Sequence, residues 1–154
     1  MDNLFYYDTV IGRIGISEHK GQITHLFFPT DQLVSKQYVI QETAGLQEAG
    51  KQLREYLAGR RKEYQLRFAP AGTEFMRRVW TALLHIPYGH TQTYKQIAAS
   101  LGNEKASRAV GLANHKNPLP IFIPCHRVIG TNGKMVGYRG GIAVKEYLLN
   151  LENR

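Results

Sequence analysis

A chain of 154 residues, 43% of them hydrophobic, is long enough to bury roughly 70% of its unfolded surface and needs no covalent staple to fold. A single cysteine excludes an internal disulfide and fits a reducing compartment, the cytoplasm. No apolar run reaches the roughly 18 residues of a membrane span, and the start, Met1 to Asp8, lacks the basic and apolar regions of a signal peptide.

The net charge of +8 is unevenly spread. Residues 1–69 hold nine Lys/Arg against eight Asp/Glu, whereas residues 70–154 hold eleven against four. That asymmetry points to a polyanionic partner, such as nucleic acid, for the second half.

Leu4 to Val10, Ile14 to Ser17 and Ile23 to Phe28 are β-branched or aromatic runs, punctuated by Gly12 and Lys20-Gly21 and closed by Pro29. They predict a small antiparallel meander. Leu46, Ala49, Leu53, Tyr56 and Leu57 recur at three and four, predicting a helix over 43–58 that Gly59 stops. Tyr64, Leu66 and Phe68 alternate and predict one more strand over 62–68. His19 and His25 read as surface or turn residues, and this half carries no catalytic constellation.

Ala69-Pro70-Ala71-Gly72 reads as a linker between an N-terminal supporting domain, 1–69, and a C-terminal domain, 70–154. Thr73 is a good N-cap for a helix to about Ile86, whose stripe of Phe75, Met76, Val79, Trp80, Leu83 and Leu84 belongs to a core. Thr93 to Gly102 predicts a short helix, Asn103-Glu104 a turn, and Lys105 to about His115 a second helix. This is the outline of a helix-turn-helix. The fold class is therefore α+β: a small antiparallel sheet with a helix, then a mostly helical domain with a helix-turn-helix.

The second helix is rich in small residues, Ala106, Ser107, Ala109 and Gly111, around Arg108. A thin helix face suits the minor groove, about 6 Å wide, and an arginine there could fill the gap left by an extruded base. Close helix packing and a surface ion pair explain the same composition equally well.

The sole cysteine lies in Pro124-Cys125-His126-Arg127-Val128. A thiol is nucleophilic as thiolate, with a free pKa of about 8.5 that a base or cation lowers. By composition alone this is as compatible with an inert buried thiol as with a nucleophile. Adjacent side chains of an extended segment point apart, so a water relay suits Cys125 and His126 better than a direct hydrogen bond.

Taken in order, the helix pair, Asn117-Pro118-Leu119-Pro120, the Cys125 stretch, the turn at Gly130 to Gly133, Val136-Gly137-Tyr138-Arg139-Gly140-Gly141 and a last amphipathic helix over 143–152 closely resemble the O6-alkylguanine-DNA alkyltransferases. The resemblance covers about residues 73–152. It implies single-turnover transfer of an alkyl group from O6 of guanine in duplex DNA to Cys125, with O4 of thymine a further possible donor. The product is a thioether, so the protein is consumed, acting as a monomer without cofactor or metal.

Residue by residue, the resemblance makes Cys125 the acceptor, His126 the base, Glu152 its orienting carboxylate, Asn117 the residue aligning the active-site turn, and Tyr94 the proton donor to departing guanine. Arg108 becomes the finger, with Ala106, Ser107, Ala109, Gly111, Lys95 and Lys105 around it on DNA. Tyr138, Arg139 and Gly140 form the pocket lip, with Asn114 and Met135 counted to the pocket. Some relatives hold zinc in the N-terminal domain through cysteines that this chain lacks. Two other readings compete: a damage sensor that binds alkylated DNA without chemistry, and a cysteine-dependent acyl hydrolase. Cys125, His126 and Glu152 speak against the first, and the basic second half against the other. Arg127 has no assigned role beyond holding the turn.

Overall fold

The computed structural model describes residues 1–33 and 37–154. Its chain forms two compact units, Met1–Pro70 and Ala71–Arg154.

In the first unit, β1 (Asp2–Thr9), β2 (Gly12–His19) and β3 (Gln22–Phe27) form the expected antiparallel meander. A fourth strand, β4 (Tyr38–Ile40), pairs parallel to β1, giving the order β3-β2-β1-β4. Inward-facing Ile14, Ile16, Ile23 and Leu26 are sealed by α1 (Ala44–Leu57), which buries Leu46, Ala49, Leu53, Tyr56 and Leu57, while Leu4 is buried on the other face of the sheet. Thr43 caps that helix by accepting from Leu46 N–H at 3.2 Å. Gly50 sits mid-helix, where glycine normally costs about 1 kcal/mol against alanine. A Cβ there would lie 2.7 Å from the Tyr7 ring, so the close approach of helix to sheet requires it.

Residues 62–68 do not form the expected strand. Only Phe68 makes a bridge, to Ile23, through Ile23 N–H to Arg67 O and Ala69 N–H to Ile23 O. Alternation of apolar residues does not by itself supply a neighbouring strand to pair with. His25 stacks on Phe27 at 5.4 Å, and His19 pairs with Asp2 at 3.1 Å.

The second unit is built on α2 (Glu74–Leu84), α3 (Tyr94–Ser100), α4 (Ser107–His115) and α5 (Ile142–Glu152). Thr73 caps α2, and Thr93 with Gln96 forms a reciprocal capping box on α3. Gly102, at φ +83°, turns the chain after α3. Asn103 then accepts from Lys105 N–H, and Glu104–Ala106 winds as a 3₁₀ turn. The second helix therefore starts at Ser107, two residues later than the sequence pattern suggests, and Lys105 and Ala106 lie in the turn before it. Trp80 is the buried centre of this unit, and its indole N–H donates to Ala113 O at 2.8 Å.

A two-residue parallel pair, β5 (Gln92–Thr93) with β6 (Val128–Ile129), ties the start of α3 to the segment after Cys125. Tyr94, the first residue of α3, directly follows this pair. Among the described residues no helix is long and apolar enough to cross a membrane.

Candidate active site

Asn117 builds the turn that carries the cysteine. Its side-chain oxygen accepts from Leu119 N–H at 2.9 Å, an Asx-turn, while its Nδ2 donates to Ile123 O at 2.8 Å. Between these bonds lies Ile121 at φ +74°, a conformation that β-branched residues rarely hold and that marks local strain. Pro124, at φ −78° and ψ 65°, forms an inverse γ-turn in which Cys125 N–H reaches Ile123 O at 2.7 Å. Cys125-His126-Arg127 then make one 3₁₀ turn. Three adjacent side chains are thus spread around a tight corner instead of alternating along a strand.

Behind the corner stands α5. His126, fully buried, shares a 2.7 Å hydrogen bond through Nε2 with Glu152 Oε2. Arg127 clamps the same carboxylate from the other side, Nε donating to Oε1 at 2.8 Å and Nη2 to Oε2 at 3.0 Å. Its Nη1 donates to Ile86 O at 2.8 Å, and Gly89 N–H adds a 3.1 Å bond to Glu152 Oε1. The carboxylate therefore serves the imidazole and the guanidinium at once. Arg127, expected from the sequence only to hold the turn, is half of a buried bidentate pair.

In front of Cys125 is a cavity of about 10 Å³, bordered by Asn114, His115 and Asn117 on one side and Gly137, Tyr138 and Arg139 on the other, with Pro120 beside them. Cys125 is 4% exposed. Arg139 Nη1 donates to Asn117 O at 3.0 Å and so draws the lip across the opening. His115 and Pro120 were not anticipated from the sequence. Gly140 does not reach the cavity. Met135 is 37% exposed and is not among the residues bordering this cavity.

On α4, Val110, Ala113 and Asn114 face inward, while Arg108 and Ala109 are exposed and Ser107 and Gly111 half-exposed. Gly111 faces the Tyr94 ring, where an added Cβ would lie 3.8 Å away. Lys95 and Lys105 are exposed. Asn114 Nδ2 lies 3.4 Å from Cys125 O.

The electrostatics favour a neutral resting site. Burial pushes the Cys125 thiol above its ordinary value, outweighing the Asn117 amide and the Arg139 and Lys145 charges that favour the thiolate. Burial likewise pushes His126 below its ordinary value, against the pull of Glu152. Tyr94 is pushed up by burial and by Cys125, which keeps its phenol protonated. Composition left an inert and an activated thiol equally open; in the folded protein desolvation wins and favours the proton on sulfur.

Two family models match this chain. One, described as 6-O-methylguanine DNA methyltransferase, DNA binding domain, covers residues 74–154. The ribonuclease-like domain of the same proteins covers residues 5–70. The chain belongs to the methylated-DNA–protein-cysteine methyltransferase family. Among its relatives, the methyltransferase of Methanosarcina barkeri is 44% identical over 159 residues, with 96% of each chain covered. The constitutive one of Bacillus subtilis is 46% identical over 151 residues, covering 94% of this chain and 92% of its own. The crystal structure of Mycobacterium tuberculosis OGT in complex with DNA superposes with a TM-score of 0.93 at 41% identity, covering 98% of this chain and 92% of that one.

For this family member the depressed His126 has a consequence for stability. The unfolded chain takes up a proton near pH 6.5, whereas the folded site keeps the imidazole neutral to lower pH. Between those values the unfolded state binds more protons, so stability falls as pH falls. Urea midpoints should be level from pH 8 to 7 and drop between pH 6.5 and 5.5. His126→Asn should flatten that drop; an unchanged drop in the variant would assign it to other groups.

Proposed function

We propose that this chain repairs duplex DNA by direct reversal, moving one alkyl group from O6 of guanine onto Cys125 and ending as an S-alkylcysteine. The carrying observation is that the chain's one thiol closes the end of a cavity between Asn114 of α4 and the Tyr138–Arg139 lip, with His126 and Glu152 behind it. The cytoplasm is the compartment that suits a free thiol with this work.

The step balances within the two molecules. Sulfur forms a bond to the alkyl carbon as the carbon–O6 bond breaks, and guanine O6 keeps the electron pair as a carbonyl. The thiol proton leaves through His126, whose Nε2 is committed to Glu152, so Nδ1 is the nitrogen that exchanges it. A water relay joins sulfur and ring. Tyr94, protonated and close to Cys125, donates to guanine N3 and is restored by that proton. Net, one proton passes from sulfur to base. Soft sulfur suits attack on saturated carbon, and the product is a thioether without a leaving group, hence one turnover. Asn117 fixes the turn, Tyr138 offers the base an aromatic wall, and backbone donors of the lip receive developing charge on O6.

On the DNA side, α4 presents Arg108 and Ala109 from a thin exposed face, with Ser107, Ala106 and Gly111 beside them and Lys95 and Lys105 placed for phosphates. Arg108 fills the gap left by the flipped guanine. Intact-mass measurement after incubation with an O6-methylguanine duplex should show one added methyl per molecule, mapping to the Cys125 peptide. Binding without mass gain would make the protein a sensor, and repeated turnover of a small ester would make it a hydrolase.

Arg108→Ala should slow transfer from duplex DNA by about ten-fold or more, since flipping costs a few kcal/mol, while leaving the reaction with free O6-methylguanine base unchanged. Equal slowing on both substrates, measured by single-turnover kinetics, removes the finger role.

A further inference from the structure

Lys145 on α5 is fully buried, at 0% exposure. Lysine is almost never so buried unless paired, because desolvating an ammonium is expensive. Among the described residues no carboxylate forms an ion pair with it. Its Nζ instead donates to two carbonyls, Val128 O at 2.8 Å and Val136 O at 3.3 Å. Val128 is the residue at which the Cys125-His126-Arg127 turn ends. Val136 leads directly into Gly137-Tyr138-Arg139, the lip of the cavity. One side chain thus ties the back of the nucleophile turn to the root of the lip.

Two carbonyls need donors, and a neutral amide would supply them without burying a charge. What the ammonium adds is that charge, held 2.8 Å from the carbonyl of Val128, where the Cys125 turn closes, and a positive charge there favours the thiolate. The other groups facing the thiol do not replace it. Tyr94 is a neutral phenol, His126 is neutral, and the Arg127 and Glu152 charges cancel in their bidentate pair. Arg139 is the second cation, but it sits on the lip that a substrate must displace. Lys145 instead projects from α5 and is bonded to the end of the nucleophile turn at Val128 O.

We propose that Lys145 is a positioning residue that holds the lip against the nucleophile turn and supplies the fixed counter-charge for the Cys125 thiolate as it forms. This rests on Cys125 being the acceptor. Burial penalises the charge of each group, and each opposes that penalty for the other.

Cys125 is the only cysteine, so protein labelled with ¹³Cβ-cysteine gives one resonance whose titration reads the thiol directly, independently of methyl transfer. In Lys145→Met, of similar length without charge, the thiol should titrate at higher pH. Single-turnover methyl transfer at pH 7.5 should fall about ten-fold and recover as pH is raised; Lys145→Arg should restore most of the rate. A folded Lys145→Met protein with an unmoved thiol titration overturns the proposal, even if transfer is slowed. Where that variant fails to fold, Cys125→Ser tests the same coupling from the other side, because linkage is reciprocal: Lys145, followed by its ¹³Cε resonance, should lose its proton at lower pH than in the parent. An unchanged lysine titration overturns the proposal equally. Absence of methyl on Cys125 in the unsubstituted protein would instead defeat the functional reading itself.

Discussion

Cys125→Ser protein is expected to bind an O6-methylguanine duplex as tightly as the parent and to gain no methyl group. The substitution exchanges sulfur for oxygen and leaves the bonds of Asn117 to Ile123 O and of Arg127 to Glu152 in place. A hydroxyl in the same buried spot is far harder to ionise than a thiol, and oxygen is a poorer nucleophile toward saturated carbon. The loss in transfer rate should be on the order of 10⁴-fold or more, as for nucleophile replacements generally. Gel-shift titration and intact mass on the same samples decide it. A serine variant that still acquires the methyl group would place the acceptor elsewhere and undo the chemistry argued above.

Glu152→Ala should destabilise the C-terminal unit by about 3–5 kcal/mol, the cost of leaving a buried partner charge uncompensated. The carboxylate receives two bonds from Arg127, one from Gly89 N–H and one shared with His126, so its removal strands a guanidinium and an imidazole together. For a unit of this size the melting temperature should fall by more than about 10 °C. Glu152→Gln, keeping shape but not charge, should fall less. Replacing both partners, Glu152→Ala with Arg127→Met, should recover much of the loss, because the uncompensated cation is gone. Thermal unfolding of these four proteins and of Arg127→Met alone measures this, and additive losses in the double variant would show that the two side chains do not act as a pair.

The contrast between these two residues marks what the sequence discloses. The start of α2 was legible because a threonine cap acts within three residues, and Thr73 accepts from Met76 N–H; Thr43 and Thr93 cap α1 and α3 in the same way. β4 was not, since Tyr38 to Ile40 becomes a strand only because β1 offers an edge. The alternation of Tyr64, Leu66 and Phe68 encodes an extended chain but cannot supply a neighbour to pair with. At the site, Cys125, His126 and Asn117 fall within one short stretch, and their motif is specific. Arg127 stayed opaque because its partners, Glu152 and Ile86 O, are 25 and 41 residues away. Lys145 on an amphipathic helix reads as one more solvated charge. The start of α4 moved because Asn103 caps a 3₁₀ turn first, a choice that composition does not separate from a longer helix.

The Arg139 bond to Asn117 O turns the small cavity into a clock. A space of about 10 Å³ admits no more than a single water, and Cys125 is 4% exposed, so a stray electrophile has little access to the sulfur while that bond holds. Because the molecule is consumed in one reaction, an accidental hit is as final as a repair. A concealed thiol with its proton still on makes accidents rare in proportion to the time the lip stays shut. DNA that holds a lesion at the mouth waits long enough to be served; a small molecule passing by does not. Selectivity of this kind is kept in residence time, with no contact to any particular alkyl group required.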